Sequence, residues 1–219
     1  MKQKTIFIVA IVILAALFGI ATQVFKGRQA EQATQTVAQN REALVRFHSP
    51  TTGSAEAPVH IVEFLDPACE GCAAFYPFVK DIMASNPGKI RLSVRYAPFH
   101  QGSEDVVKVL EAARKQGKYW QALEALFAAQ GGWTQHHVAR LDLVWQYLAP
   151  IGLDVERLKS DMQSPEIARI IEQDRADLMA LNVQKTPEFF VNGRPLPSFG
   201  DQQLLNLVRE ELEKSAKGS

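Results

Sequence analysis

Cysteine is scarce in this chain, with two residues among 219, and that scarcity excludes a small fold held together by disulfide bonds. The chain also lacks an excess of either charge, because 24 basic side chains balance 24 acidic ones. Composition therefore gives no reason to expect a nucleic-acid-binding protein. With 47% hydrophobic residues, the chain is also far from the composition of disordered segments. What remains is an ordinary globular domain with room for a modest extra segment.

The net charge of zero conceals an uneven distribution along the chain. Residues 1–28 contain four basic side chains and no acidic one, so the other 191 residues hold 20 basic and 24 acidic side chains. The protein is therefore a basic N-terminal tip, at +4, on a mildly acidic body, at −4.

The basic tip contains a long apolar run. Between Lys4 and Lys26 lie 21 uncharged residues, and no polar side chain interrupts residues 6–21. At about 1.5 Å rise per residue, such a helix just crosses a hydrocarbon core of about 30 Å. The small residues Gly19 and Ala21 have the spacing that a signal peptidase recognises, so a cleavable signal is the alternative. We interpret residues 1–28 as a membrane anchor or signal segment and favour the anchor.

Residues 29–58 are predicted to form a linker. The stretch 29–47 lacks glycine and proline and is typical of a polar helix or solvated stalk. The stretch 48–58 is rich in Pro, Thr, Gly and Ser and indicates a loop. The folded domain is then expected to cover residues 59–219.

Within that domain, strand patterns are interrupted by helical ones. Short β-branched and aromatic runs predict strands, and these cover residues 59–65, 90–96 and 188–192. Helical periodicity follows the first strand, continues through residues 104–181 and returns at 201–214. Strands separated by helices predict an α/β domain, here with an all-helical insertion at about 104–181.

The two cysteines lie three residues apart, where a strand feeds a helix. At a helix start, unpaired N–H groups and the helix dipole favour an anion, so the Cys69 thiol should ionise more readily than a free thiol, whose pKa is about 8.5. Cys72 lies one turn further on, within bonding reach. The spacing predicts that Cys69 attacks a substrate disulfide and that Cys72 resolves the mixed disulfide.

The cysteine pair has two other possible uses, a static disulfide and a metal site. A static disulfide closing so small a loop would stabilise the fold very little. A metal site would need two more ligands. The chain has no second cysteine pair, and His136 and His137 are adjacent, so on a helix they would diverge by about 100°. We therefore predict no metal site and no cofactor.

Four segments together resemble one known family, the DsbA-like thiol–disulfide oxidoreductases of the thioredoxin superfamily. They are Val62–Cys72, Gly53–Val59, Gln116–Gln130 and Thr186–Gly193. The resemblance covers roughly residues 50–215, in the same order and with a helical insertion in the same place. It implies a thioredoxin fold and disulfide exchange with protein substrates.

The resemblance also implies roles for individual residues. Pro187 matches a proline with a cis peptide bond that packs opposite the active-site pair, so Thr186 and Pro187 are expected to bind substrate. Glu63, six residues before Cys69, matches a buried acid that aids proton transfer to or from the second cysteine. Read alone, Glu63 either points inward with a raised pKa, which suits general acid–base work, or faces solvent.

The dipeptide between the cysteines departs from the family pattern. Strong oxidants of the family have a histidine beside the second cysteine, whereas this chain has Glu70 and Gly71. A negative charge there disfavours the thiolate. We therefore predict that Cys69 is less acidic, and the couple less oxidising, than in the family's strong oxidant at about −120 mV.

These inferences combine into one predicted function, an exported thiol–disulfide oxidoreductase that uses the Cys69–Cys72 pair. The domain is expected outside the cytoplasm on a single-pass anchor in a bacterial inner membrane, or free in the periplasm after signal cleavage. A membrane redox partner is expected to recycle the pair. The alternatives are a thioredoxin-fold metal-binding or copper-chaperone module and a non-catalytic adaptor. The direction of electron flow stays open.

Overall fold

The structure, a computed structural model, describes residues 2–136 and 138–217 and begins with one long helix. This helix, α1 (Lys2–Gln39), runs without a break through the predicted anchor and into the predicted linker. Among the described residues it is the one helix long and apolar enough to cross a membrane, and its apolar side chains from Ile6 to Phe25 are exposed. The predicted membrane or signal helix is therefore present as a helix.

A five-stranded sheet forms the centre of the domain. The strands of the described residues are β1 (Thr51–Thr52), β2 (Val59–Leu65), β3 (Ile90–Tyr96), β4 (Thr134–Gln135), β5 (Val138–Ala139), β6 (Glu188–Val191) and β7 (Arg194–Pro195). The order in the sheet is β1-β3-β2-β6-β7, in which β2 and β3 are parallel and the other neighbours are antiparallel. The predicted strands 59–65 and 90–96 are confirmed with those bounds.

Helices cover the sheet and fill the insertion. After α1 they are α2 (Arg41–Leu44), α3 (Glu70–Ala84), α4 (Ser103–Lys115), α5 (Tyr119–Ala128), α6 (Gln130–Trp133), α7 (Leu141–Leu148), a 3-10 turn (Ala149–Ile151), α8 (Val155–Asp161), α9 (Pro165–Ala180) and α10 (Asp201–Lys217). α3 connects the parallel strands β2 and β3, as parallel pairing requires.

The two faces of the sheet follow from the alternation of side chains along β2. Ile61 packs with residues of α3 and α10, and Leu65 packs with Cys72 and the insertion. Phe64, between them, lies on the opposite face among residues of α9 and the N-terminal segment. Glu63 shares the face of Ile61 and Leu65, which is the face that carries the cysteine pair.

The predicted linker packs against the domain from Val37 onward. Val37 and Leu44 are buried in the cluster that contains Phe64. Thr51 pairs with Ser93 of β3 through β1, so the stretch predicted as a loop contains an edge strand. The apolar stripe before residue 48 is too sparse to predict that this segment packs against the domain. Its partners come from β2, β6 and α9, which are distant in the sequence.

The insertion is helical as predicted except at one hairpin. β4 and β5 pair antiparallel, with Thr134 opposite Ala139. β-branched Thr134 and Val138 flank the turn and favour strands. His136 lies in that turn with a φ of 49° and not on a helix, and His137 lies outside the described residues.

The C-terminal elements match the predicted pattern closely. β6 ends at Val191, one residue earlier than predicted, because Asn192 and Gly193 form a two-residue turn to β7. Their φ angles of 49° and 81° suit the Asn-Gly turn that joins tight hairpins. α10 begins at Asp201 as predicted and continues to Lys217.

Candidate active site

The cysteine pair lies at the junction of β2 and α3. Cys69 is the N-cap residue of α3, with extended backbone, and Cys72 lies in the first turn. Both sulfurs are free thiols. The N–H of Cys69 donates to the carbonyl of Asp66 at 3.0 Å, which closes the turn that leads into the helix.

Several hydrogen bonds stabilise a negative charge on Cys69. The Cys72 thiol contributes most, followed by the Thr186 side chain and the N–H groups of Cys72 and Gly71, and together they lower the pKa of Cys69 to about 5 against the opposing effect of burial. As a thiol, Cys69 donates to the carbonyl of Thr186 at 3.3 Å. Cys69 is therefore suited to act as a nucleophilic thiolate at neutral pH.

Cys72 has the opposite environment. Its side chain is fully buried. Burial, the hydrogen bond to Cys69 and the charge of Glu63 raise the pKa of Cys72 far above its usual value. The N–H of Asp66, 3.5 Å from the Cys72 sulfur, acts in the other direction. The pair therefore consists of one exchange-ready thiolate and one thiol that keeps its proton.

Glu63 points into the protein, which decides between the two orientations that the sequence left open. Its exposure is 0%, and it lies opposite Val94 on β3 and Phe189 on β6. Neither carboxylate oxygen has a hydrogen-bond partner among the described residues. Burial, with a smaller contribution from the charge of Cys69, raises the pKa of Glu63 to about 8.

The peptide bond between Thr186 and Pro187 is cis, as the resemblance implies. Pro187 lies across from the dipeptide between the cysteines. A Cβ placed on Gly71 would lie 3.2 Å from Pro187 Cδ and 3.6 Å from the Cys69 sulfur. A side chain at position 71 would therefore require Pro187 to shift by a few tenths of an ångström.

Two acids flank this site with different exposure. Glu70 is exposed at the start of α3. Glu188 is partly buried beside Pro187, and burial raises the pKa of Glu188 while the charge of Lys185 opposes the rise. Neither acid supplies the positive charge that a histidine provides in the strong oxidants.

Sequence reasoning missed two polar residues that hold the loop before Cys69. The Asp66 carboxylate accepts hydrogen bonds from the loop itself and from His100. The Gln130 side chain donates to the carbonyls of Pro67 and Cys69 at 2.9 and 3.0 Å. Gln130 ends one of the segments on which the resemblance rests. However, the positions of Asp66 and Gln130 in the sequence match no pattern that predicts these contacts.

The predicted residues Cys69, Cys72, Glu63, Thr186 and Pro187 thus come together in one place. A cysteine pair at the start of a helix, next to a parallel β-α-β unit, is typical of thioredoxin-like redox proteins. The fold and the site therefore define a protein of the thioredoxin class.

Comparison with known proteins assigns the family. The family model described as Thioredoxin matches residues 47–209. Because this match spans more than half of the chain, the protein belongs to the thioredoxin family. The matched range contains the helical insertion and begins after α1.

Solved structures place the domain near the DsbA-like oxidoreductases. A thioredoxin-like oxidoreductase from Silicibacter pomeroyi is 29% identical, with a TM-score of 0.69 over 82% of this chain and 99% of that one. BdbD from Bacillus subtilis is 26% identical, with a TM-score of 0.66 over 75% of this chain and 93% of that one. The thiol-disulfide exchange protein α-DsbA2 from Wolbachia pipientis, 19% identical with a TM-score of 0.69, shows the shared fold.

Curated relatives are of two kinds. Disulfide bond formation protein D from Bacillus subtilis is 28% identical over 77% of this chain and 78% of its own length. The Na(+)/H(+) antiporter NhaA of Herminiimonas arsenicoxydans is 32% identical over 76% of this chain but only 25% of its own length. This chain thus spans about a quarter of the first curated relatives it matches.

Proposed function

We propose that this protein exchanges disulfide bonds with protein thiols and disulfides through Cys69 and Cys72. The observation that carries the proposal is the asymmetry of the pair, in which the pKa of Cys69 is lowered to about 5 and that of Cys72 is strongly raised. One sulfur can then attack while the other waits as a thiol. The similarity to DsbA-like oxidoreductases supports the same chemistry.

The exchange proceeds in two balanced steps. The Cys69 thiolate attacks one sulfur of a substrate disulfide, which forms a mixed disulfide and releases the other substrate sulfur as a thiolate. The Cys72 thiol then loses its proton and attacks the Cys69 sulfur. The Cys69–Cys72 disulfide forms, and the second substrate sulfur leaves with the electron pair and takes up a proton. Run backwards, the same steps oxidise a substrate dithiol.

Glu63 is proposed to exchange the proton of Cys72. The charge of Glu63 interacts with Cys72 inside the protein, and the pKa of Glu63, raised to about 8, lies near physiological pH. A general base works best when its pKa is close to the operating pH. The lack of a hydrogen-bond partner for its oxygens among the described residues leaves both available for this exchange.

Thr186 and Pro187 are proposed to hold the substrate chain beside Cys69. The Thr186 carbonyl lies 3.3 Å from the Cys69 sulfur, and Pro187 lies against the dipeptide that separates the cysteines. An extended substrate passing this edge would meet the nucleophile and the backbone together. Half-buried Glu188, next in the chain, would disfavour acidic residues in the bound segment.

The domain is proposed to work outside the cytoplasm of a bacterium, attached by α1 to the inner membrane. The apolar run of α1 supports the anchor, and an oxidising compartment suits the chemistry. Signal cleavage that frees the domain into the periplasm is the alternative.

A membrane redox partner would return Cys69 and Cys72 to their starting state. The matched quarter of the antiporters gives no reason to propose ion transport here.

The redox strength is proposed to be intermediate. The pKa of Cys69, at about 5, lies between those of the reactive cysteines in thioredoxin, about 7, and in DsbA, about 3.5. A Cys69 thiolate that is less stabilised than that of DsbA stabilises the reduced form of the pair less, which lowers its reduction potential. We therefore expect a potential below that of the strong oxidant at about −120 mV, which equilibration with glutathione buffers measures.

Serine variants of the two cysteines test the function in the full-length protein in detergent. Cys72→Ser should form mixed disulfides with a disulfide-containing test protein and keep them, whereas Cys69→Ser should form none. Wild-type protein should complete the exchange. Failure of wild-type protein to exchange disulfides would overturn the proposal. Copper titration of the same samples separates the metallochaperone alternative, and partner binding without exchange would indicate an adaptor.

A further inference from the structure

A fully buried carboxylate lies directly before the cysteine pair, and its contacts reach across the domain. Asp66 Oδ1 accepts from the N–H of Ala68 at 2.8 Å and from the hydroxyl of Ser103. Asp66 Oδ2 accepts from the N–H of His100 at 2.8 Å and contacts His100 Nδ1 at 2.7 Å. Four contacts from two parts of the chain therefore fix the orientation of one residue.

The backbone of that residue contacts both cysteines. The N–H of Asp66 donates to the Cys72 sulfur at 3.5 Å, and its carbonyl accepts from the N–H of Cys69 at 3.0 Å. The contacts of the side chain with His100 and Ser103, at the start of the insertion, therefore restrain the two peptide groups of Asp66.

The electrostatic setting of Cys72 makes this N–H important. Burial, the neighbouring carboxyl of Glu63 and the sulfur of Cys69 all disfavour a thiolate on Cys72, whereas the Asp66 N–H favours it. Resolution of the mixed disulfide requires that thiolate. A hydrogen bond to a charged acceptor is stronger than one to a neutral acceptor, so the contact should tighten as Cys72 loses its proton.

We propose that Asp66 is a positioning residue for the resolving cysteine: its carboxylate, held by Ser103 and His100, aims the Asp66 N–H at the Cys72 sulfur. This inference rests on the proposed function, since it concerns the second of the two exchange steps. In that step the Cys72 sulfur bonds to the Cys69 sulfur, the substrate sulfur leaves as a thiolate and takes up a proton, and the proton of Cys72 passes to Glu63.

The sign of the effect separates positioning from simple charge. A negative carboxylate near the pair disfavours a thiolate, so removing its charge alone would speed resolution. Removing the anchoring contacts would slow it. Asp66→Asn removes the charge and leaves the amide unable to accept from all of the present donors, so the two explanations predict opposite changes in rate.

A chromogenic aromatic disulfide, dithiobis-nitrobenzoate, reads the two steps separately in the full-length protein in detergent. Attack by Cys69 releases one coloured thiolate, and attack by Cys72 on the mixed disulfide releases the second. At about pH 8, Cys69, with a pKa of about 5, is a thiolate. We expect Asp66→Asn to slow the second release by about tenfold or more, the worth of one hydrogen bond to a charged group, and to leave the first within about twofold. Exposed Asp142→Asn is the matched control and should change neither release.

Variants that keep Asp66 test the inference even if the Asp66→Asn protein does not fold. Ser103→Ala and His100→Ala should each slow the second release by a smaller factor. His100→Asn, whose amide nitrogen can donate where Nδ1 does, should restore the rate lost in His100→Ala. A second release in Asp66→Asn as fast as in wild-type protein or faster, or no rescue by His100→Asn, would overturn the inference. If wild-type protein gave no release at all, the proposed function itself would fail.

Discussion

Two buried ionisable side chains lie on neighbouring strands of the same sheet and differ in almost every contact. Glu63, on β2, faces the cysteine pair and has no hydrogen-bond partner among the described residues. Arg95, on β3, is equally buried and faces the opposite side, where its guanidinium lies over the Phe64 ring. It donates to the carboxylates of Asp174 and Asp177.

The contacts of Arg95 belong to a larger ion cluster that attaches two segments to the sheet. Arg95 Nη2 lies 2.7 Å from Asp174 and 2.6 Å from Asp177, both on α9. Arg46 and His48, from the segment before β1, each lie 2.7 Å from one of these carboxylates. The cluster therefore joins the N-terminal segment, the sheet and the last helix of the insertion.

The difference teaches how one sheet supports both stability and chemistry. A buried charge whose partners are all present keeps its charge state, and removing one partner is costly. A buried acid without a partner has its pKa moved towards neutrality, where it can exchange protons. We therefore interpret the Arg95 face as structural and the Glu63 face as reactive, and the following variants test that division.

The largest effect is expected for Arg95→Met. Its loss would leave Asp174 and Asp177 buried without their main cation, which typically costs about 3–5 kcal/mol. Urea unfolding of the full-length protein in detergent measures the change. A cost below about 1 kcal/mol, the value typical of exposed pairs, would contradict a structural role for this face.

In contrast to Arg95→Met, Glu63→Gln should stabilise the folded protein, and the gain in stability should depend on pH. The pKa of Glu63 is raised from 4.5 to about 8 in the folded protein, so the folded state keeps a proton that the unfolded chain loses. Wild-type stability should therefore fall relative to Glu63→Gln as the pH rises from about 4.5 to about 8, with a slope of at most about 1.4 kcal/mol per pH unit. Unfolding free energies across this range measure it, and parallel curves would show that Glu63 ionises normally.

The same variant should also slow thiol exchange without unfolding the protein. If Glu63 accepts the proton of Cys72, the second release from the chromogenic disulfide should slow by about 10²-fold or more, as for loss of a general base. The first release, which depends on Cys69, should change little. Equal rates for Glu63→Gln and wild-type protein would remove the reactive role from this face.

A smaller effect is expected for Gln130→Leu. This variant removes neutral hydrogen bonds to the carbonyls of Pro67 and Cys69. At about 1 kcal/mol for each bond, the loss of stability should reach about 2 kcal/mol. This value lies between the losses expected for Arg95→Met and for the exposed ion pair of Arg140. A loss as large as that of Arg95→Met would show that the cost of removing a side chain depends on its burial rather than on its charge.

The smallest effect is expected for Arg140→Met. Arg140 pairs with Asp142 at 3.0 Å, but both side chains are well exposed, at 44% and 61%. Such a pair contributes about 0.2–1 kcal/mol. The same urea experiment measures it, and this variant is the reference for Arg95→Met. A cost of several kcal/mol would mean that exposure does not decide the worth of an ion pair in this protein.

Much of the fold and of the candidate site could be predicted from local sequence. The β-branched runs at 59–65 and 90–96 and the helical start after Cys69 depend on residues within a few positions of one another. The acid in the apolar strand and the threonine–proline pair were found because they belong to short segments with a recognisable pattern. The burial of Val37 and Leu44 and the edge strand at Thr51 were not predicted, because their contacts lie elsewhere in the chain. The hairpin after Trp133 pairs locally and was missed because it lies within a helical pattern.

The sequence by itself determined which side chains could do redox chemistry, because a cysteine pair at a helix start already favours one thiolate. Only the tertiary structure decided how that chemistry is tuned. Thr186 reaches Cys69 from 117 residues away, and His100 reaches Asp66 from 34 residues away. Glu63 is buried because packed elements cover both faces of β2. Hydrogen bonds and desolvation act over a few ångströms, so they follow from spatial neighbours, which sequence spacing does not specify.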